Sequence, residues 1–145
     1  MLEIEIATFD DVEELKELLD SAEVPSEEVD PDFTTYFIVR DESRKIIACI
    51  GLELFTGTAL LTSFAVDPAH RGNGIGSNLV DKLLEEAFNA GSEAVYLCTA
   101  KAPELFLYLG FVGIDLDEVP IEIRSSRLFK SNCPFVAAYM KKKTY

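Results

Sequence analysis

The run Arg71-Gly72-Asn73-Gly74-Ile75-Gly76 constrains the fold of this chain more than any other segment. Three alternating glycines strip side chains from a tight turn. Ahead of the run, Ala59 to Val66 is an apolar stretch of strand length, ended by Pro68. Behind it, Ile75, Leu79, Leu83 and Ala87 recur at helical spacing, and Val80, Leu84 and Phe88 widen the stripe. Asp81, Lys82, Glu85 and Glu86 face away from it, and Gly91 is placed to end the helix. In a strand–turn–helix of this kind, successive backbone N–H groups converge on one cluster of ligand oxygens. The helix start adds its positive dipole end. Arg71 adds a fixed positive charge and Ser77 a hydroxyl. The segment therefore reads as a pyrophosphate cradle formed by Arg71, Gly72, Asn73, Gly74, Ile75, Gly76 and Ser77.

Two other phosphate motifs do not fit. The dinucleotide fingerprint needs Gly or Ala three residues after its second glycine, and that position is Ser77 or Leu79 here. The P-loop needs a Gly-Lys pair, and the chain has none.

The segments around the cradle predict its partners. Leu2 to Ala7 alternates apolar and acidic residues, the period of a half-buried strand. Thr8 and Asp11 have the spacing of a helix start, and Val12, Leu15, Leu19 and Ala22 follow at helical spacing. Pro25 to Asp32 is polar and reads as a short helix in a loop. Tyr36 to Val39, Ile46 to Phe55 and Ala59 to Val66 read as strands. The turns between them are too short for a parallel crossover, so these strands are antiparallel. Ala94 to Cys98 follows the long helix, which makes a parallel strand–helix–strand unit. Ala102 to Tyr108 predicts a short helix, Phe111 to Ile114 a strand, Glu118 to Lys130 a partly helical stretch, and Phe135 to Met140 a final strand. Lys141 to Lys143 reads as a solvated tail.

Composition removes whole classes of function. The chain has 145 residues, 48% of them hydrophobic, which suits one globular domain spanning 1–145. Its formal net charge of −13 argues against nucleic acid as a partner, because phosphate backbones are held by Lys and Arg. The longest apolar stretches, such as Ile46 to Leu52, are too short to span a bilayer, so no membrane partner is expected. The cysteines Cys49, Cys98 and Cys133 are odd in number and lack paired short spacing. That argues against a disulfide framework and against a metal site. Cys49 and Cys98 read as buried thiols, and Cys133 as a packed cysteine rather than a soft ligand. No basic and apolar leader is visible, so the expected location is cytoplasmic.

The segment Val66-Asp67-Pro68-Ala69-His70-Arg71-Gly72-Asn73-Gly74-Ile75-Gly76 resembles the acetyl-CoA-binding segment of the GNAT family of N-acetyltransferases, with its R/Q-x-x-G-x-G/A core. Leu109-Gly110-Phe111 matches that family's Leu-Gly-Phe. The resemblance implies an α/β (α+β) fold, a GNAT-like mixed, mostly antiparallel sheet flanked by helices. It implies an acyltransferase with acetyl-CoA as co-substrate and a small-molecule amine as acceptor. It also implies that backbone groups of Phe64, Ala65 and Val66 pair with the pantetheine arm. An N–H near Val66 then polarises the thioester carbonyl. Homodimers through the final strands are common in the family, and the oligomeric state here stays open.

One position departs from the family pattern. Tyr is common three residues before the leucine of Leu-Gly-Phe, where it protonates the leaving thiolate, and that position is Phe106 here. Tyr108 is the nearest hydroxyl, but two residues on is roughly 200° around a helix. Where the family often has Asn, Thr99 stands as a partner for the pantetheine or a water. Glu118-Val119-Pro120-Ile121, with Arg124, Phe129, Cys133-Pro134 and Met140, resembles the arsenic-resistance N-acetyltransferases and the short N-acetylglutamate-synthase-like group. That implies an amino acid or amino-acid-like acceptor. Arg124 and Arg127 are then the leading cations for its carboxylate, with Lys101 and Lys130 behind them. A base must take the ammonium proton, and Glu53, on a strand near the expected cleft, is one candidate; which carboxylate or water acts stays open. His70 reads as exposed. The competing readings are an acyl-CoA sensor without turnover and a protein N-acetyltransferase.

Overall fold

Short turns force strand neighbours to run antiparallel, and most of the sheet is built that way. A computed structural model describes residues 3–133 and 138–145 of the protein. Strand β1 (Glu5–Ile6) pairs antiparallel with β2 (Thr35–Arg40), and β2 with β3 (Ile46–Leu54). Strand β4 (Thr58–Val66) pairs in parallel with β5 (Ala94–Thr99), matching Thr58, Ala59 and Leu60 to Ala94, Val95 and Tyr96. Strand β7 (Ala138–Lys143) is antiparallel to both β5 and β6 (Val112–Ile114). The sheet has seven strands in the order β1-β2-β3-β4-β5-β7-β6.

The chain divides into two units. One contains residues up to Glu53 and Thr62–Leu83; the other contains Leu54–Leu61 and the chain from Leu84 onward. In the first, helix α1 (Val12–Ser21) lays Leu15, Leu18 and Leu19 against Tyr36, Ile38, Ile46, Cys49 and Ala65. The Thr8–Asp11 spacing does what it predicts, since the Thr8 N–H donates to Asp11 Oδ2 at 2.9 Å. Arg40 ties this unit together through Asp11 Oδ1 at 2.7 Å and Glu5 Oε1 at 3.3 Å. The first half of helix α2 (Ile75–Asn89) buries Ile75, Leu79, Val80 and Leu83.

In the second unit, helices α3 (Pro103–Tyr108), α4 (Ile121–Arg124) and α5 (Arg127–Asn132) follow β5. Its core joins Leu60 and Tyr96 to Val119, Ile123, Leu128, Phe129 and Cys133. Among the described residues, no helix is long and apolar enough to cross a membrane.

Several expectations are corrected. The first strand is only Glu5–Ile6, and the part of the expectation that falls on Leu2 lies outside the described residues. Pro25 to Asp32 holds turns and no helix. Lys141 to Lys143 is not a tail but the end of β7, paired to Tyr96, Val95 and Ala94. Lys142 Nζ donates to the Leu109 carbonyl at 2.8 Å. The portion of the final strand expected over 135–137 lies outside the described residues. Cys98 and Cys133 form a disulfide with Cα atoms 6.1 Å apart, although 35 residues separate them in sequence. Cys49 is the free cysteine, and it is buried as expected.

Candidate active site

The cradle lies wholly in the first unit. Gly72 and Gly74 take φ of +85° and +79°, backbone conformations that other L-residues adopt only at a cost. No atom lies within 4 Å of where a Cβ would stand on either. Gly76 serves a different purpose. A Cβ there would meet Phe64 Cζ at 3.0 Å and Val66 Cγ2 at 3.7 Å, so its bareness lets the helix start approach the end of β4. An α-helix leaves the N–H groups of its first turn without partners inside the helix. Here that turn contains Ile75, Gly76 and Ser77, and its first backbone bond runs from the Asn78 N–H to the Gly74 carbonyl at 3.0 Å.

Arg71 is exposed, and its Nε donates to the Val66 carbonyl at 3.1 Å. That bond orients the guanidinium fork beside the glycines and ties it to the strand end. Asn73 Nδ2 donates to the His70 carbonyl at 3.4 Å. His70 is half-buried in a 3₁₀ turn, not exposed as the sequence suggested. Asp67 caps that turn, accepting from the Ala69 N–H at 2.9 Å. The structure thus brings together Phe64, Val66, Arg71 and Gly76, with Ala65 buried between the first two.

Ser63 is a feature the sequence did not disclose. It sits inside β4 with φ of +53°, which costs a non-glycine residue about 1–3 kcal/mol. Its carbonyl is held by Cys49 Sγ, which donates at 3.2 Å. The left-handed step changes the direction of the strand immediately before Phe64. Burial pushes the Cys49 thiol up to about 12. It therefore stays protonated and is no nucleophile. Glu53, near the end of β3, is half-buried.

The remaining predicted residues belong to the second unit. Thr99, the last residue of β5, accepts from the Ala102 N–H at 3.0 Å and so shapes the turn into α3. Phe106 is buried and packs edge-on to Phe111, with ring centroids 5.6 Å apart. Tyr108 is 85% exposed, on a different face of α3 from Phe106. Arg124 is half-buried, and its enclosed Nε donates to no group among the described residues. Arg127 follows on the first turn of α5, after the Ser126 hydroxyl that accepts from the Phe129 N–H at 3.3 Å.

The model of the acetyltransferase (GNAT) family matches residues 2–111. The chain belongs to that family. It is 34% identical over 80 residues to an amino-acid acetyltransferase of Mycobacterium tuberculosis, a match covering 54% of this chain and 45% of that enzyme. The chain spans less than half the length of the curated relatives it matches. Its fold is also that of a GNAT-family acetyltransferase from Staphylococcus aureus, with a TM-score of 0.78, 20% identity and full coverage of both chains. The N-acetylglutamate synthase of Neisseria gonorrhoeae, complexed with coenzyme A and N-acetyl-glutamate, is similar as well. There the TM-score is 0.85 at 19% identity, covering all of this chain and 35% of that one.

Proposed function

We propose that the protein is an N-acetyltransferase of one domain, 1–145, that moves the acetyl group of acetyl-CoA to the amine of an amino acid or amino-acid-like compound. The cradle carries this reading. Two glycines in left-handed conformations stand open beside the start of a 15-residue helix, and a third lets that helix reach Phe64. Bound at this place, acetyl-CoA supplies an activated acyl group on a good leaving thiolate. Arg71, Gly72, Asn73, Gly74, Ile75, Gly76 and Ser77 hold its pyrophosphate through N–H groups, one guanidinium and one hydroxyl. Backbone groups of Phe64, Ala65 and Val66 hold the pantetheine, and the N–H at Val66 steadies the oxyanion. Thr99 and Phe106 complete the cofactor-binding set.

Transfer is direct, in a ternary complex. The free thiol, Cys49, is pushed up to about 12 and cannot act as an acyl carrier near neutral pH. Glu53 takes the ammonium proton. Arg124 and Arg127 take the acceptor carboxylate, and the enclosed Arg124 Nε, without a partner among the described residues, supports that assignment. Tyr108 is the hydroxyl nearest in sequence to the thiolate-protonating position. Coenzyme A leaves partly as thiolate without an acid, as an ordinary thiol with a pKa of about 8.5 does near neutral pH.

A thiol-release assay with acetyl-CoA and an amino-acid panel tests the proposal. Release that depends on one acceptor supports it. A second reading, an acyl-CoA sensor without turnover, is favoured by the buried Phe106 at the position where the family commonly has tyrosine. Tight binding with no release across the panel selects that reading.

A further inference from the structure

Cys49 lies in the middle of β3, fully buried, across from Ile38 of β2. Its thiol reaches β4 and donates to the buried Ser63 carbonyl at 3.2 Å. Burial pushes that thiol up to about 12, and a hydrogen bond from the Ala65 backbone N–H to the same sulfur works against the rise. The sulfur therefore keeps its proton near neutral pH and stays a donor. One side chain of β3 thus serves the two backbone groups that flank Phe64. Carbonyls inside a sheet ordinarily take a backbone N–H from the next strand. Here a side-chain donor goes with the left-handed backbone of Ser63, at φ of +53°. Such a conformation persists only where its surroundings hold it.

The place of this step matters. It falls beyond the stretch of β4 paired with β5, which runs from Thr58 to Leu60. Ala65, after the step, packs with Cys49 in the core under α1. Phe64 lies against the cradle, with its Cζ 3.0 Å from where a Cβ on Gly76 would stand. We propose that Cys49 is a positioning residue for acetyl-CoA: its thiol holds the left-handed step that presents the backbone of Phe64, Ala65 and Val66 to the pantetheine arm. This rests on the reading of those three residues as the pantetheine site. Cys49 forms no bond to the acyl group and gives up no proton. Without its donor, Ser63 relaxes toward extended backbone. Acetyl-CoA must then restore the step on binding, and that ordering appears as lost affinity.

The test measures acetyl-CoA binding by calorimetry for wild type, Cys49→Ala, Cys49→Ser and Leu15→Val, each beside its melting temperature. Cys49→Ala removes the donor and should weaken binding about fivefold, the share of one ordinary hydrogen bond. Cys49→Ser keeps a donor on the same Cβ and should stay within about twofold of wild type. Its melting temperature should still fall, because a more polar group is buried. Leu15 is buried in the same core, so Leu15→Val should also melt lower, with affinity unchanged. A thiol that only filled space would make affinity follow melting temperature across the set. Affinity of Cys49→Ala within about twofold of wild type overturns the proposal, and so does an equal loss in Cys49→Ser or Leu15→Val. One check needs no variant to fold. Cys98 and Cys133 are joined, so Cys49 carries the free thiol, and its S–H stretching band reads the bond directly. The band should lie at the low wavenumber of a donating thiol, and the position of an unbonded thiol overturns the proposal. If wild type binds no acetyl-CoA, the pantetheine reading itself fails first.

Discussion

Gly74→Ala separates backbone strain from ligand contact. At φ of +79° an alanine pays about 1–2 kcal/mol for the left-handed conformation. About 0.4–1 kcal/mol of that is returned because the unfolded chain loses freedom. No neighbour lies within 4 Å of the new methyl, so no clash adds to the cost. The net is about 1 kcal/mol, or roughly 3 °C in melting temperature for a domain of this size. The fold survives. The methyl nevertheless stands where the pyrophosphate must approach the helix start, and losing one charge-assisted hydrogen bond removes about 1.5–3 kcal/mol. Affinity for acetyl-CoA, measured by calorimetry, should fall at least about tenfold. Gly57→Ala is the matched control: Gly57 has φ of +77°, and its space is equally open, but it lies in the turn between β3 and β4. It should lose the same stability and keep its affinity. Equal affinities in the two folded variants would refute the placement of the pyrophosphate.

The other expectations concern the structure around the cradle. Burial works to raise the Asp11 pKa, but the hydrogen bond from Arg40 and those from Thr8 outweigh it and hold the carboxyl below its ordinary value. Its stabilisation is therefore present above the ordinary carboxylate pKa and lost as pH falls through the lowered one. Arg40→Gln should cost about 2 kcal/mol at neutral pH, and denaturant titrations of the two proteins should converge in acid. Reducing the Cys98–Cys133 disulfide should lower stability by about 3–4 kcal/mol, and thiol titration of the untreated protein should find Cys49 only after denaturation. Tyr108→Phe should leave kcat within about tenfold of wild type, less than a well-placed general acid supplies. Phe106→Tyr should also stay within about tenfold, while losing stability, because the new hydroxyl is buried against Phe111.

The parts of the fold legible in the sequence are those fixed by local rules. Periodicity marks α1 and α2, short turns set the antiparallel pairs, and the intervening helix makes β4 and β5 parallel. The glycines announce the cradle because their conformations are open to few other residues. What stayed hidden depends on distant partners. Ser63 carries no compositional sign of a left-handed backbone, since the Cys49 bond and the surrounding sheet hold it there. Lys141 to Lys143 look like a solvated run, yet their backbones are claimed by β5 and the Lys142 ammonium by the Leu109 carbonyl. Cys98 and Cys133 are too far apart in sequence for any spacing rule, and only the core around Tyr96 and Phe129 brings them together.

The most direct test of the account is the mass of the product. Purified protein is incubated with isotope-labelled acetyl-CoA and an amino-acid panel, and the mixture is analysed by mass spectrometry. The account predicts one N-acetylated amino acid carrying the label, formed in step with free coenzyme A. Intact acetyl-CoA across the panel, or label found only on protein lysines, would contradict it.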